Sequence, residues 1–245
     1  MSFEKQSITK EKYKLKAETE KTFELLQREL ITPLFRGGEM LKTLVNLIDI
    51  IYSRKDKSIN YDTILSDDAS GRLVSLFVKK VIDKERKANQ KKSINTYFIA
   101  SGRYLTSQHK RTLKEFIKSK KAKLGKTLLV TEYISSGRGM ASLIKILKEV
   151  GVNFDLITLS VKNNPKYYKF VSLDLFRKLK DNGYASIGTV GLRLWNKYMY
   201  SGVIKDLTKD SPHPVVSDVR DSRRIKAVRE DINLLVEKLS KLKGH

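Results

Sequence analysis

The sequence predicts an α/β protein built on a doubly wound parallel sheet, and three observations support this prediction. Apolar, strand-like runs alternate with segments whose apolar residues recur at helical spacing, which is typical of parallel sheets. The tripeptide Ser-Gly-Arg follows an apolar, strand-like run at three places in the chain. A third observation is the stretch from Leu128 to Met140, which runs from an apolar strand through a small, polar loop into a helix.

The predicted elements divide the chain into three parts. An N-terminal helical extension (1–57) holds two helices, which either pack on the core as a hairpin or form a dimer contact. The α/β core (58–165) contains four predicted strands, at 61–65, 94–100, 128–134 and 154–161. The remainder (166–245) changes pattern and ends in a helix from about Asp221, with Ser222 as a plausible N-cap.

The amino-acid composition of the chain limits the classes of function that it can have. The net charge is +23 at pH 7, and such a charge attracts polyanions, including nucleic acid, anionic membranes and phosphorylated substrates. The excess positive charge is mostly lysine spread along the whole chain, and such lysines can simply form a solvated surface. Nucleic acid is therefore a possible partner that the charge alone does not indicate. There is no cysteine and there are only three histidines, which argues against thiolate chemistry, disulfides and a histidine-rich metal site. The polar start and the lack of a long apolar run favour a cytoplasmic protein without a membrane span.

The loop after the third strand is suited to binding an anion. Ser135, Ser136, Gly137 and Gly139 allow a sharp turn that brings backbone N–H groups close to a ligand. The helix that follows has apolar residues at helical spacing from Leu143 onward. Its N-terminal dipole favours a phosphate above all.

The three Ser-Gly-Arg turns lie at Ser70–Arg72, Ser101–Arg103 and Ser136–Arg138. Loops that leave the carboxyl ends of parallel strands share one edge of the sheet, where ligands bind. Arginine grips phosphate oxygens through its bidentate fork, and glycine lets the backbone approach. Chance is the weaker explanation for three such copies.

The stretch Thr131 to Met140 resembles the phosphoribosyl pyrophosphate loop of type I phosphoribosyltransferases. In that family an apolar strand carries two acidic residues, then two apolar residues, then a small-residue turn that opens a helix. Glu132 matches the second acid, and Thr131 replaces the first. The order of the loops matches as well, over roughly residues 61–161. The resemblance implies a Rossmann-like fold, with a hood that selects the nucleobase at residues 162–203.

The resemblance also implies the role of each site residue. Ser70, Gly71, Arg72 and Arg103 would bind pyrophosphate, the last of them from a mobile loop between Ser101 and about Gly125. The phosphoribosyl group would be held by a larger set, namely Thr131, Glu132, Ser135, Ser136, Gly137, Arg138, Gly139 and Met140. Arg72 and Glu132 would be the catalytic residues. Magnesium would arrive with phosphoribosyl pyrophosphate, and no metal-ligating residue of the protein is predicted.

Two functions from different classes stay open. One is transfer of ribose 5-phosphate from phosphoribosyl pyrophosphate to a nucleobase or a related nitrogen nucleophile. The other is a non-catalytic regulator or a nucleic-acid-binding protein of the same fold, which Thr131, Arg138 and the high charge favour. His109 is predicted to lie on the surface, and His213 is expected to lie in a stiff loop outside the site.

Overall fold

The structure is a computed structural model of the chain. It describes residues 20–36, 38–53, 59–68, 71–101, 106–134, 138–161, 203–204, 211–216 and 221–242. Of the predicted hood, residues 162–203, only Val203 falls within this part of the chain.

Four parallel strands form the central sheet: β1 (Thr63–Asp68), β2 (Asn95–Ala100), β3 (Thr127–Ile134) and β4 (Phe154–Val161), in the order β2-β1-β3-β4. The register pairs Ser66 with both Phe98 and Val130. Two short strands, β5 (Val203–Ile204) and β6 (Val215–Val216), pair antiparallel in a separate small sheet.

Helices connect the strands and cover the sheet. In chain order they are α1 (20–29), α2 (Gly38–Ser53), α3 (Arg72–Ala88), α4 (Ser107–Leu124), α5 (Arg138–Val150) and α6 (Ser222–Leu242). Each crossover between consecutive strands β1 to β4 contains one helix, as parallel pairing requires. Thr106 caps α4 by accepting a hydrogen bond from the N–H of His109 at 2.9 Å, which satisfies one of the donors left unpaired at a helix start.

Alternation along the strands creates a core on each side of the sheet. Ile64 and Leu128 belong to the cluster formed with α1, α2, α3 and α6. Their neighbours Leu65 and Leu129 belong to the cluster formed with α4 and α5. Successive side chains of a strand point to opposite faces, so an uninterrupted apolar run supplies both cores. The predicted doubly wound parallel α/β fold is therefore confirmed.

Three predicted boundaries were wrong. Strand β1 continues to Asp68, so residues 66–68 are strand and not turn. Helix α3 extends to Ala88, whereas the lysine-rich sequence from Lys84 to Lys92 predicts a connection there. Most of the expected mobile loop, Ser107–Leu124, is helix α4, which buries Leu113 and Ile117 against the sheet.

Candidate functional site

The candidate site lies where the carboxyl ends of β1, β2 and β3 meet. The chain leaves β1 through α3 toward β2, whereas it leaves β3 through α5 toward β4. The strand order therefore reverses between β1 and β3, and open α/β sheets bind ligands outside the strand ends at such a point. We call this edge the crest, defined by the described residues 66–68, 71–72, 100–101, 131–132 and 138–140.

Asp67 links the three strand ends of the crest. The hydroxyl of Ser101, just after β2, donates a hydrogen bond to Asp67 Oδ1 at 2.7 Å. The hydroxyl of Thr131, on β3, lies 3.5 Å from Asp67 Oδ2. Asp67 is 9% exposed, and Ser101 and Thr131 are 1% exposed. Asp67 does not stand out in the sequence, because the neighbours of a carboxylate across a sheet are not visible in the chain order.

Gly71 lets the first turn of α3 approach the strand ends closely. Its N–H donates to the carbonyl oxygen of Asp67 at 2.9 Å. A Cβ at this position would lie 2.7 Å from the carbonyl oxygen of Asp67 and 2.9 Å from that of Val130. Both distances are shorter than real Cβ contacts, so the position accepts only glycine without a shift of the backbone. The predicted Gly71 is thus located between β1 and β3, where the strand order reverses.

Arg72 begins α3 and lies beside β2. The carbon Cζ of its guanidinium is 4.1 Å from the centroid of the Phe98 ring, within the range of a cation–π interaction. This contact holds the side chain near the crest. Sequence reasoning found Arg72 through its motif but had no signal for the aromatic support, since Phe98 is 26 residues away on another element.

Glu132 and Thr131 occupy adjacent positions near the end of β3, and each is 1% exposed. Their side chains point to opposite faces of the sheet because they are successive residues of a strand. The carbonyl oxygen of Glu132 accepts a hydrogen bond from the Thr158 hydroxyl of β4 at 3.2 Å. Thr131 therefore lies on the side of Asp67, and Glu132 lies on the side covered by α3.

Helix α5 starts at the crest, three residues after β3 ends. Arg138, Gly139 and Met140 form its first turn. The Met140 side chain is 5% exposed and belongs to the core beneath α5, so this residue offers only its backbone N–H at the helix start. Ser70, Arg103, Ser135, Ser136 and Gly137 lie outside the described residues.

The two histidines near β2 have unequal environments. His109 is fully buried at 0% exposure, so the prediction of a surface position was wrong. Its Nε2 lies 2.9 Å from the carbonyl oxygen of Ala100, which makes Nε2 the donor. His213 is exposed and lies beside β2, where its Nδ1 is 3.3 Å from the carbonyl oxygen of Phe98. The main chain next to it also touches this strand, because the Ala100 N–H donates to the carbonyl oxygen of Pro212 at 2.8 Å.

Two searches of the described residues were negative. No group of three or more histidine, aspartate or glutamate side chains there could hold a metal ion. None of the helices in this part of the chain is long and apolar enough to cross a membrane.

Comparison with solved structures returns phosphoribosyltransferases. Hypoxanthine-guanine phosphoribosyltransferase from Schistosoma mansoni matches 55% of this chain and 65% of its own, at 14% identity and a TM-score of 0.37. Purine phosphoribosyltransferase from Pyrococcus horikoshii Ot3 matches 52% of this chain and 76% of its own, at 11% identity and a TM-score of 0.34. The xanthine-guanine-hypoxanthine phosphoribosyltransferase of Helicobacter pylori matches 58% of this chain and 95% of its own, at 14% identity and a TM-score of 0.31.

All three of these proteins are purine phosphoribosyltransferases. No protein-family model matches this chain, and no curated protein matches it. The topology of the sheet is what identifies the α/β fold. The residues at the crest are what indicate the chemistry of the site.

Proposed function

We propose that the chain binds phosphoribosyl pyrophosphate at the crest and transfers its ribose 5-phosphate to a nucleobase or a related nitrogen nucleophile, releasing pyrophosphate. The observation that supports this most is the meeting of three features at one edge of the sheet. They are the close approach of Gly71, the buried carboxylates Asp67 and Glu132, and the start of α5. A substrate with two phosphate groups flanking a polyhydroxylated ring needs this combination of N–H donors and carboxylates.

The 5-phosphate would lie at the start of α5. This helix has 13 residues, and its first N–H groups have no partners within the helix. Their partial positive charge attracts a phosphate. Gly139 in the first turn leaves the backbone accessible to phosphate oxygens.

The pyrophosphate would lie over the start of α3. Gly71 brings the backbone of this turn against the strand ends, and Arg72 supplies a cation held beside Phe98. Negative charge accumulates on pyrophosphate as it leaves. A guanidinium positioned before the reaction stabilises that charge more in the transition state than in the bound substrate.

The ribose hydroxyls would be bound by carboxylates. Glu132 takes the role of the second acid of the loop. Asp67 brings a carboxylate from β1 to within 3.5 Å of the Thr131 hydroxyl, which compensates for the acid that Thr131 replaces. Carboxylates near the ring also favour the positive, oxocarbenium-like ribose that forms as the bond to pyrophosphate breaks. Magnesium would enter as the counter-ion of the substrate.

Calorimetric titration with magnesium and phosphoribosyl pyrophosphate tests the binding step. We expect Glu132→Gln to weaken binding about tenfold or more, because a hydrogen bond to a charged group is worth about 1.5–3 kcal/mol. Glu149→Gln is the matched control, since Glu149 lies exposed near the far end of α5. It should bind as the wild type does. Absence of binding at millimolar ligand, or equal weakening in both variants, would refute the site.

Release of pyrophosphate with a panel of nucleobases tests the chemical step. Arg72→Ala should lower the rate about 100-fold, as removal of one charge-stabilising donor does in other enzymes. Ligand binding that depends on Glu132, without pyrophosphate release for any nucleobase, would instead favour the non-catalytic regulator.

A further inference from the structure

We propose that the outer face of α4, together with an aromatic cluster beside it, binds single-stranded nucleic acid. This surface is separate from the crest, and the proposal does not rest on the proposed enzymatic function. It would explain why a small α/β protein has a net charge of +23.

Among the described helices, positive charge is most concentrated on α4. In its 18 residues this helix has seven lysines or arginines and one acidic residue. Helix α6 has six basic and three acidic residues in 21 positions, and α3 has six basic and two acidic residues in 17. The excess is therefore not an even lysine background among the described helices.

The cations of α4 face solvent along its length. Leu113, Ile117 and Leu124 occupy the buried face. Five of the cations are exposed and point away from that core, namely Lys110, Arg111, Lys118, Lys121 and Lys123. Within the described part of the chain, the ion pair of this helix is that of Lys114 with Glu149 of α5, at 2.5 Å. A helix of this length is about 27 Å long, which suits several consecutive phosphates.

Aromatic rings lie on the flank of the same helix. The Phe116 ring packs edge-to-face against His213, with centroids 4.5 Å apart, and against Tyr97 of β2, with centroids 6.5 Å apart. Lys120, one turn beyond Phe116, places Nζ 5.9 Å from the Phe116 centroid. His213 is exposed, and Tyr97 and Phe116 are partly exposed. We call Tyr97, Phe116 and His213 the aromatic cluster.

Cations beside exposed rings match the chemistry of a single strand better than that of other polyanions. Phosphates pair with lysines, and unstacked bases lie on aromatic faces, whichever base is present. A duplex keeps its bases stacked inside, so it would not use the rings. A membrane surface would require large exposed apolar side chains next to the cations. Among the described residues, the exposed large apolar ones are Leu25 and Ile31, which belong to the α1 region on the opposite face of the sheet.

Fluorescence anisotropy with a labelled 12-nucleotide single-stranded RNA tests the surface. The first variant combines Lys118→Ala, Lys121→Ala and Lys123→Ala, all in the half of α4 remote from the crest. The matched control combines Arg223→Ala, Lys226→Ala and Arg229→Ala, which removes the same charge from exposed positions of α6. We expect the α4 variant to weaken binding at least tenfold and the control to change it less than about threefold. The salt dependence, log K against log[salt], should become shallower by about 2 in the α4 variant, because each lost contact with a single-strand phosphate contributes about 0.7.

The aromatic contribution is tested separately. Phe116→Leu and His213→Ala should each weaken RNA binding about fivefold or more, since stacking on a ring contributes to each bound base. Phe116→Leu keeps an apolar side chain, and the exposed position of His213 makes loss of folding an improbable cause of any effect. A thermal melt of each variant checks that the fold is retained.

Several outcomes would overturn the proposal. These are no RNA binding at 50 mM salt, equal weakening in the α4 and α6 variants, or unchanged affinity in both aromatic variants. Binding to phosphatidylserine vesicles that depends on α4, with no binding to RNA, would assign the surface to a membrane instead. Duplex RNA bound as tightly as the single strand would also contradict it.

Discussion

Gly71 should not tolerate even a methyl group. We expect Gly71→Ala to destabilise the protein by about 1–3 kcal/mol, because the added Cβ would overlap two backbone carbonyl oxygens that cannot move independently of the sheet. Thermal unfolding should detect a fall in Tm of several degrees.

A suitable control lies one turn further along α3. Ser75 is fully buried, and its hydroxyl has no hydrogen-bond partner among the described residues. Ser75→Ala should therefore leave Tm unchanged or raise it. An unchanged Tm in Gly71→Ala would mean that the start of α3 is not packed against β1 and β3 as described.

Asp67 and Ser101 should behave as a coupled pair. Ser101→Ala removes the 2.7 Å hydrogen bond to Asp67 Oδ1 and should lower the free energy of unfolding by about 1–2 kcal/mol. Combined with Asp67→Asn, the two effects should not add, and the coupling energy should be about 0.5 kcal/mol or more. Urea unfolding of the four proteins in the cycle measures this coupling. Strict additivity would contradict the link between β1 and β2.

Individual site residues could be predicted from the sequence to unequal degrees. Gly71 and Glu132 stood out because short motifs follow strand-like runs, and the structure locates both at the crest. Asp67 and the ring beneath Arg72 did not stand out, since both depend on which strands are neighbours. The burial of His109 was mispredicted because its charged neighbours in the sequence, Lys110 and Arg111, lie on the exposed side of a helix.

A buried carboxylate of helix α6 forms hydrogen bonds with the segment that follows α1. Asp231 accepts hydrogen bonds from the N–H groups of Ile31 and Thr32, both at 2.8 Å, and from the Thr32 hydroxyl at 2.6 Å. Asp231→Ala should lower the free energy of unfolding by about 2–4 kcal/mol, because these donors lose their acceptor in a mostly buried place. Glu230→Ala, at the exposed neighbouring position, should change it by less than about 0.5 kcal/mol. Equal effects in urea unfolding would refute the role of Asp231.

The contact between α2 and α6 should make stability depend on pH in the alkaline range. Burial raises the pKa of the Tyr52 phenol above its usual value near 10, and this outweighs the opposing effect of its hydrogen bond with Ser240. Above about pH 10 the unfolded chain loses this proton more readily than the folded chain. The group therefore destabilises the fold progressively as the pH rises from 10 through the raised pKa.

Comparison with Tyr52→Phe isolates this effect from the other tyrosines. The variant should be less stable by about 1 kcal/mol at pH 8, since it lacks the hydrogen bond. Its free energy of unfolding should then fall less steeply between pH 9.5 and 11, as measured by urea titration. Parallel slopes for the two proteins would contradict the assignment.

Helices and strands were predictable where the spacing of apolar residues followed a single pattern. They were not predictable where apolar residues were scattered among charged ones. Strand β4 was predicted with its observed bounds because five of its eight residues from Phe154 to Val161 are apolar and a glycine, Gly151, precedes it. Helix α4 was predicted to be helical only in part, because its apolar residues are sparse among lysines. Its buried positions become evident only once the sheet supplies a surface for Leu113 and Ile117 to cover.

For the molecule as a whole, the net charge of +23 should make stability depend on salt. Like charges repel more strongly in the compact state than in the unfolded chain, and salt screens them over about 10 Å at 0.1 M. We expect the midpoint of urea unfolding to rise between 20 and 300 mM NaCl at pH 7. The variant with three lysines of α4 replaced should show a smaller rise, whereas a midpoint that falls with salt would mean that attractive ion pairs dominate.

The sequence predicted that the sheet is parallel, but it did not predict the order of the four strands within the sheet. Alternating strands and helices require a parallel sheet, and the three Ser-Gly-Arg turns indicated a shared edge. Nothing in the order of elements dictates that β1 lies between β2 and β3, which decides the partners of Asp67. That arrangement arises from packing, because each crossover must cover one apolar face of the sheet.

The segment around His213 has a consequence for how molecules behave in a crowded solution. Strand β2 is at the end of the four-stranded sheet, and a strand in that place can recruit a strand from another molecule. Here the carbonyl oxygen of Pro212 accepts the Ala100 N–H. Proline has no N–H of its own, so the prolines on either side of His213 cannot donate to a further strand. The covering segment thus blocks the carboxyl end of this edge strand, and at that end it opposes the addition of a strand from another molecule.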